Sequence, residues 1–154
     1  MPAPAADAGQ CALLEKTRRA QGRPLIAADT STWIAFFHGA AGEDTALLDS
    51  ALRGRYAVMP PVVLAELLGD PAPPPAVSRS LSELPLLEPG PGYWQRAGRL
   101  RAKVLASGRK ARLGDALIAQ SCIDAKVPLL TRDRDFRAFA RAAGLRLILP
   151  PAAP

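Results

Sequence analysis

A chain of 154 residues has the size of one domain and is long enough to bury a core without disulfide bonds or a structural metal. Hydrophobic residues make up 49% of it and charged residues 22%, which are globular values, and no apolar run reaches the ~18–20 residues that a membrane span needs. Two cysteines and one histidine exclude a disulfide framework and a cysteine- or histidine-based metal site. We therefore expect any metal ion here to be held by oxygen atoms.

The positive charge lies mostly in the last third of the chain. The net charge is +6 overall, but it is 0 over residues 1–55, −3 over residues 56–95 and +9 over residues 96–154. Such a basic third suits a polyanion such as nucleic acid, or an acidic protein partner. A basic face that only contacts solvent is an equally good interpretation of the charge alone.

The two ends of the chain frame one predicted domain, residues 23–150. Residues 1–22 lack the uninterrupted apolar segment of a signal peptide, and we expect them to form a flexible N-terminal extension. Residues 151–154 are expected to be a C-terminal tail. With no export signal and two isolated cysteines, the expected compartment is the cytoplasm, with no membrane partner.

In the first half of the predicted domain, short apolar runs alternate with amphipathic stretches. Residues 25–28 predict a buried strand that ends at Asp29, and an aromatic-rich helix follows it. The later elements predicted here are a helix over 43–52, a strand over 56–59, a helix over 61–68, a helix over 77–84 and a weak edge strand over 85–87. The proline-rich residues 71–75 predict a loop between the last two helices.

The second half continues the alternation. It predicts helices over 93–107, 115–124 and 136–143, and strands over 127–131 and 145–149. Strands that are separated by helices are joined by crossover connections, which make neighbouring strands parallel. The pattern therefore predicts an α/β fold with a parallel sheet covered by helices on both faces.

Four carboxylates from four separate segments are expected at one edge of this sheet. Asp29 ends the first strand and Asp133 follows the strand over 127–131, and the carboxyl ends of parallel strands meet at one edge. Glu66 lies in an unusually apolar helix, and Asp115 opens another mostly apolar helix. Four such acids would repel one another strongly unless a cation lay among them.

Each acid taken alone also has a structural explanation. Asp29 and Asp115 are good helix N-caps, and Asp133 and Asp135 are common turn formers. Glu66 can be the polar edge of its helix. For each acid taken singly, the structural explanation is the better supported one. The four acids taken together favour a functional site.

The four segments, in this order, resemble those of the PIN domain family. They read IAADTS over 26–31, LAEL over 64–67, LGDALIA over 113–119 and LTRDRDF over 130–136, and the resemblance covers roughly residues 24–150. Within the family, the compact size and the segments DALIA and TRDRDF are most similar to VapC-type toxins of bacterial type II toxin–antitoxin systems. Residues 1–22 depart from that pattern, because such toxins usually begin close to the first strand.

The resemblance implies a PIN-like three-layer fold with a central, mainly parallel sheet flanked by helices. It also implies an endoribonuclease that depends on Mg²⁺ or Mn²⁺, is normally a homodimer, and is silenced by a cognate VapB-like antitoxin in its active-site groove. Carried over residue by residue, the catalytic and metal-binding acids fall on Asp29, Glu66, Asp115 and Asp133, with Asp135 as a candidate fifth ligand. The residues that would orient waters or carboxylates beside them are Thr30, Ser31 and Thr131.

The chemistry of these residue types agrees with that assignment. Mg²⁺ is a hard ion that prefers oxygen ligands and keeps several waters, so a site of carboxylates suits it. We expect Asp29, Asp115 and Asp133 to ligate the ion directly or through water, and Glu66 to be a ligand or to orient a water. The hypothesis is phosphodiester hydrolysis that leaves a 5′-phosphate and a 3′-hydroxyl.

Basic residues flank the predicted acidic positions. The expected RNA-binding set, here called the basic rim, consists of Arg109, Lys110, Arg112, Arg132 and Arg134. Its functional interpretation is that it binds phosphates around the acids. The alternatives are that these side chains neutralise the carboxylates or only contact solvent.

Two other functions compete with the nuclease. A non-catalytic module on the same fold would bind nucleic acid or protein through the basic third, with the acids purely structural. A phosphotransfer domain also places Asp after its first strand, but Ser31 stands where its second acid belongs and no glycine-rich phosphate loop is present. The aromatic side chains are expected to pack in the core or at a dimer interface, and Cys122 is expected to be an inert thiol in the core.

Overall fold

Four strands and seven helices form the part of the chain that the structure, a computed structural model, describes, residues 24–69 and 71–149. The predicted extension over 1–22 and tail over 151–154 lie outside these residues. The strands are β1 Ile26–Ala28, β2 Ala57–Val58, β3 Leu129–Leu130 and β4 Leu147–Ile148. The helices are α1 Thr30–Phe37, α2 Glu43–Arg53, α3 Pro61–Gly69, α4 Pro75–Ser82, α5 Tyr93–Ala106, α6 Leu113–Ala125 and α7 Phe136–Ala143.

The four strands form one parallel sheet in the order β2-β1-β3-β4. Strands β1 and β3 are neighbours at its centre, with Ala28 paired to Leu130. This register is extended by a hydrogen bond from the amide of Asp29 to the carbonyl of Leu130, at 2.9 Å. The predicted α/β fold with a parallel sheet flanked by helices is confirmed, and the ends of β1 and β3 lie side by side.

The strands are shorter than the apolar runs that predicted them. Before β3, the amide of Val127 bonds to the carbonyl of Cys122 and so still belongs to the end of α6, and Pro128 has no N–H to give to a ladder. The predicted edge strand over 85–87 is a single parallel bridge between Met59 and Leu86.

Helix α6 begins two residues earlier than predicted. Its first intrahelical bond runs from the amide of Ala116 to the carbonyl of Arg112, which makes Arg112 the N-cap residue. Asp115 is therefore the third residue of α6 rather than its opener or its N-cap. A carboxylate in the first turn still lies near the positive end of the helix dipole.

The hydrophobic core is formed by side chains from the sheet and from all the helices packed around it. Phe136, Phe139, Leu129 and Leu130 are at most 1% exposed, and burial of each such side chain stabilises the fold by about 1.5–3 kcal/mol. Trp33 is also buried, whereas Trp94 is 63% exposed. Among the described residues, the longest helix has 14 residues, and none is long and apolar enough to cross a bilayer.

Candidate active site

Asp29 is held at the edge of the sheet between β1 and α1. Its carboxylate Oδ1 accepts a hydrogen bond from the amide of Thr32 at 3.3 Å, so it caps α1, and another from the hydroxyl of Ser31 at 2.7 Å. The residue is 4% exposed, and this burial raises the pKa of its carboxyl above the ordinary value despite these hydrogen bonds. The capping interpretation of Asp29 is thus correct, and it is compatible with a place in a site.

The loop after β3 is fastened to Asp29 by hydroxyl groups. The buried Thr131 accepts a bond from the amide of Asp133 at 2.9 Å. Ser31 accepts a bond from the amide of Arg132 at 3.0 Å while its own hydroxyl donates to Asp29. The hydroxyl oxygens of Ser31 and Thr131 lie 3.5 Å apart. These contacts fix the loop that carries Asp133 beside the end of β1.

Glu66 reaches the same edge from α3. Its carboxylate accepts a hydrogen bond from the hydroxyl of Thr30, at the start of α1. On its other side, a Cβ atom placed on Gly114 would lie 3.2 Å from Oε1 of Glu66. The missing side chain of Gly114 therefore lets the first turn of α6, with Asp115, approach Glu66 closely.

The protonation of Asp115 shows that the four acids influence one another. The pKa of Asp115 is raised to about 6, first by partial burial and next by the carboxylate of Asp133, with smaller contributions from Asp29 and Glu66. The guanidinium of Arg112 opposes this shift. The structure thus brings Asp29, Glu66, Asp115 and Asp133, here called the acidic cluster, to one edge of the sheet.

The acidic cluster fits a hydrated cation better than a tightly enclosed one. In residues 24–69 and 71–149, no three or more His, Cys, Asp or Glu side chains form a ready-made metal cage. All the donors are carboxylate or hydroxyl oxygens, however, and Mg²⁺ is commonly bound by one or two carboxylates while keeping several waters. A cation would also relieve the mutual repulsion that raises the pKa of Asp115.

Asp135 and Arg132 occupy positions different from those expected. Asp135 is exposed, donates its amide to Oδ1 of Asp133 at 2.9 Å, and lines a basic groove beside the acidic cluster. Arg132 binds Asp44 through Nε at 2.7 Å and Nη2 at 2.9 Å, and also bonds the carbonyl of Ala41. The guanidinium of Arg132 therefore has a structural partner. This agrees with the alternative in which side chains of the basic rim neutralise carboxylates.

Asp44 is a functional neighbour that the sequence did not indicate. Its side chain is fully buried, and Thr32 also donates to it at 3.1 Å. Burial raises the pKa of Asp44, but the hydrogen bonds from Arg132, from the amide of Thr45 and from Thr32 outweigh burial and lower it. The Arg132–Asp44 pair ties the loop after β3 to α2. In the sequence, Asp44 resembles any other acid in the first turn of a helix. Only its contact with Arg132 in the folded protein distinguishes it.

The remaining residues of the basic rim divide into two places. Arg112 lies close enough to Asp115 to lower its pKa. Arg109, Lys110 and Arg134 line the groove that also contains Asp135. The structure adds Arg137 and Arg141 to that groove, and the sequence signal for them was their spacing of four residues in a predicted helix.

This fold and site coincide with a known family. The model of the PIN domain matches residues 26–142, so the chain belongs to the PIN domain family. Among curated protein sequences, none matches significantly.

Several solved structures share this fold, among them a member of the VapBC family of toxin–antitoxin systems. VapBC-5 from Mycobacterium tuberculosis superposes with a TM-score of 0.58 at 24% identity, covering 82% of this chain and 99% of that chain. VapBC2 from Rickettsia felis, bound to a DNA fragment from its promoter, gives a TM-score of 0.62 at 19% identity, covering 81% and 98%. FitAcB from Neisseria gonorrhoeae gives 0.58 at 19%, covering 80% and 96%. The resemblance to VapC-type PIN proteins is confirmed at the level of the fold.

Proposed function

We propose that the protein is a metal-dependent endoribonuclease that acts as the toxin of a toxin–antitoxin pair. The observation that carries this proposal is the acidic cluster, in which four carboxylates from the end of β1, α3, α6 and the loop after β3 lie at one edge of the sheet, and burial together with the other three acids raises the pKa of Asp115 to about 6. Placing like charges close together does not stabilise the folded state, so the arrangement is better explained as a binding site for a cation. The cation proposed is Mg²⁺ or Mn²⁺.

The proposed roles follow from the contacts of each side chain. Asp29, Asp115 and Asp133 would hold the ion directly or through waters, and Glu66 would ligate it or orient a water. Ser31 and Thr131 keep Asp29 and the loop of Asp133 in place through their hydroxyls. A bound divalent ion supplies a more acidic water and stabilises charge on the phosphoryl oxygens. The expected products end in a 5′-phosphate and a 3′-hydroxyl.

The identity of the substrate and partner rests on charge and on the comparisons. A basic last third with exposed arginines beside the acidic cluster suits the phosphates of RNA. Because the solved structures with this fold are toxin–antitoxin complexes, we propose a VapB-like antitoxin as the protein partner. A homodimer in the cytoplasm is the proposed working state.

The test is cleavage of total cellular RNA by the purified protein with Mg²⁺, with Mn²⁺ and with EDTA. Wild type is expected to give discrete fragments only with a metal ion, and Asp115→Asn is expected to give none. Asp124→Asn is the matched control, because it removes a carboxylate from the same helix at a surface pair with Arg96. This control is expected to cleave like wild type.

Circular dichroism establishes that both variants are folded. RNA binding without cleavage under any condition, by a folded protein shown to be free of co-purified partner, would contradict the nuclease and favour the non-catalytic binding module. Cleavage products that end in a 2′,3′-cyclic phosphate would overturn the hydrolytic mechanism, because that product requires attack by the ribose hydroxyl.

A further inference from the structure

A groove beside the acidic cluster is lined mostly by cations. It lies between α7 and the segment 107–110, and its first cavity has a volume of about 450 Å³. An adjoining cavity of about 400 Å³ shares Arg109, Ala138 and Arg141 with it, so the two form one continuous basic groove along α7. The cations of the first cavity are Arg109, Lys110, Arg134, Arg137 and Arg141, and Lys103 lines the adjoining one.

The five cations of the first cavity have no partner, unlike six of the eleven other lysine and arginine side chains in the described residues. Arg53, Arg96 and Arg132 pair with aspartates. The side chains of Arg101 and Arg146 bond carbonyl oxygens. None of the five groove side chains makes a hydrogen bond or ion pair within residues 24–69 and 71–149, and Asp135 is the single acid lining the groove. Their charges are therefore left for a ligand.

The groove has a rigid wall. Phe136 and Phe139, on the opposite side of α7, are buried in the core. The ammonium of Lys103 on α5 donates to the carbonyl of Ala142 at 2.6 Å, which fastens the other end of α7. Arg137 and Arg141 are one helical turn apart, about 6 Å along the axis, with the small Ala138 beside them. Their spacing is thus fixed by a well-packed helix.

We propose that the basic groove binds the phosphate backbone of a single RNA strand that leads away from the acidic cluster. The groove begins at Arg134 and Asp135, the residues directly after Asp133. Arginine's planar fork of donors matches phosphate oxygens. The strand's identity as RNA rests on the proposed nuclease function, whereas the binding of phosphates rests on the groove alone.

The lining favours a phosphate backbone over an acidic peptide. Protein interfaces are anchored by large apolar or aromatic side chains that enter pockets. The only apolar residues that line the groove cavity between α7 and the segment 107–110 are Gly108 and Ala138. A ligand held there would be bound through charge and hydrogen bonds, which is how nucleic-acid backbones are held.

The test measures how binding depends on salt. The probe is a fluorescein-labelled 20-nucleotide single-stranded RNA of mixed sequence, in EDTA, with protein carrying Asp115→Asn. Five phosphate contacts predict that affinity falls about 100-fold between 50 mM and 200 mM salt, because each contact to a single strand adds about 0.7 to the slope. Adding Arg137→Gln and Arg141→Gln should reduce this fall to about 20-fold.

Two control variants separate the groove from net charge. Arg55→Asn with Arg79→Gln removes the same charge from outside the groove, and Asn tolerates the left-handed backbone of Arg55, whose φ is 58°. This pair should keep the wild-type salt dependence. Arg137→Lys with Arg141→Lys keeps the charge and should restore most of it.

The inference fails if Arg137→Gln with Arg141→Gln leaves the salt dependence unchanged, or lowers it no more than the control pair does. It also fails if a 20-residue polyglutamate peptide binds more tightly than the RNA at equal ionic strength, which would indicate an acidic protein partner. Because the binding assay needs no cleavage, the two proposals can fail separately. If the salt dependence is the same with and without Arg137→Gln and Arg141→Gln, while wild type cleaves RNA, the groove alone is refuted. If the two substitutions reduce the salt dependence as expected, while wild type does not cleave RNA, the nuclease alone is refuted.

Discussion

The protein holds two clusters of like charge, of opposite sign, within a few residues of each other. In the acidic cluster Asp29 is buried, Asp115 and Asp133 are half-buried and Glu66 is exposed, and burial together with the neighbouring carboxylates raises the pKa of Asp115 to about 6. In the basic groove the five cations of the first cavity are exposed and have no partner among the described residues. Neither arrangement stabilises the fold. The negative acidic cluster would attract a metal ion and the positive basic groove would attract phosphates, which are the two components of a metal-dependent reaction on RNA.

The Arg132–Asp44 pair, next to Asp133 in the loop after β3, shows the opposite arrangement. There a buried carboxylate and a guanidinium neutralise each other with two hydrogen bonds. Arg132 and Arg134 both flank Asp133, but only Arg132 has a partner. The difference teaches that the neutralised Arg132 holds the loop, whereas Arg134 beside it has no partner among the described residues and is available to a ligand.

The largest expected effect separates the charge of Asp29 from its capping role. Asp29→Asn keeps an oxygen acceptor for the amide of Thr32 but removes the negative charge. RNA cleavage should fall at least about 100-fold while thermal stability stays close to wild type. Asp29→Ala should lose cleavage and also about 1 kcal/mol of unfolding free energy. Full activity in the folded Asp29→Asn protein would remove Asp29 from the site.

The two arginines beside Asp133 form the next contrast. Arg132→Gln leaves the buried carboxylate of Asp44 without its ion pair and should lower the free energy of unfolding by about 2 kcal/mol. Arg134→Gln should change it by less than about 0.5 kcal/mol but weaken RNA binding. Urea denaturation and RNA titration of both variants measure the contrast. Equal destabilisation by the two substitutions would show that the ion pair does not support the loop.

The raised pKa of Asp115 predicts how stability depends on pH in metal-free protein. Because folding favours the protonated carboxyl, this contribution is full below pH 3.8 and is lost as pH rises through about 6. Wild type should therefore lose stability relative to Asp115→Asn between pH 4 and pH 7, as denaturant titrations would show. Added Mg²⁺ should restore stability to wild type at pH 7 and not to Asp115→Asn. Parallel pH profiles for the two proteins would contradict the crowding of the acids.

The smallest expected effect tests the close approach of α6 to Glu66. Gly114→Ala places a methyl group 3.2 Å from Oε1 of Glu66, so the carboxylate must shift by a few tenths of an ångström. Alanine's better helix propensity, up to about 1 kcal/mol, offsets that strain in stability. Cleavage should fall only a few-fold, whereas Gly98→Ala on α5, where a Cβ meets no atom within 4 Å, should leave it unchanged. An identical loss in both variants would mean that the contact with Glu66 is irrelevant.

Much of the fold could be predicted from the apolar periodicity. The helix over 136–143 matches the structure, because its pattern is strongly amphipathic and Gly144 directly follows its last residue. The predicted helix over 43–52 begins at the observed residue and ends one residue early. Strand lengths were overestimated, since an apolar run also includes residues that end a helix or precede a ladder, as Val127 and Pro128 do. The start of α6 was missed because its N-cap residue, Arg112, makes no side-chain capping hydrogen bond and gives no capping signal in the sequence.

The candidate site could be predicted in its acids but not in its cations. Asp29, Glu66, Asp115 and Asp133 were identifiable because strand ends and short motifs indicate which edge of a sheet they reach. The catalytic and metal-binding roles of these acids stay predictions. Local sequence could not separate Arg132 from Arg134, because the partner of Arg132 lies 88 residues away on α2.

The sequence by itself determined the parallel α/β architecture, the oxygen-only chemistry open to a metal, and the four segments that identify a PIN domain. These depend on local periodicity, residue type and order along the chain. Only the tertiary structure decided which charges are neutralised and which remain. Whether an arginine is paired depends on which acceptor atoms the packing of α2, α5 and α7 brings within about 3 Å of its guanidinium. That distance is set by contacts between residues far apart in the sequence.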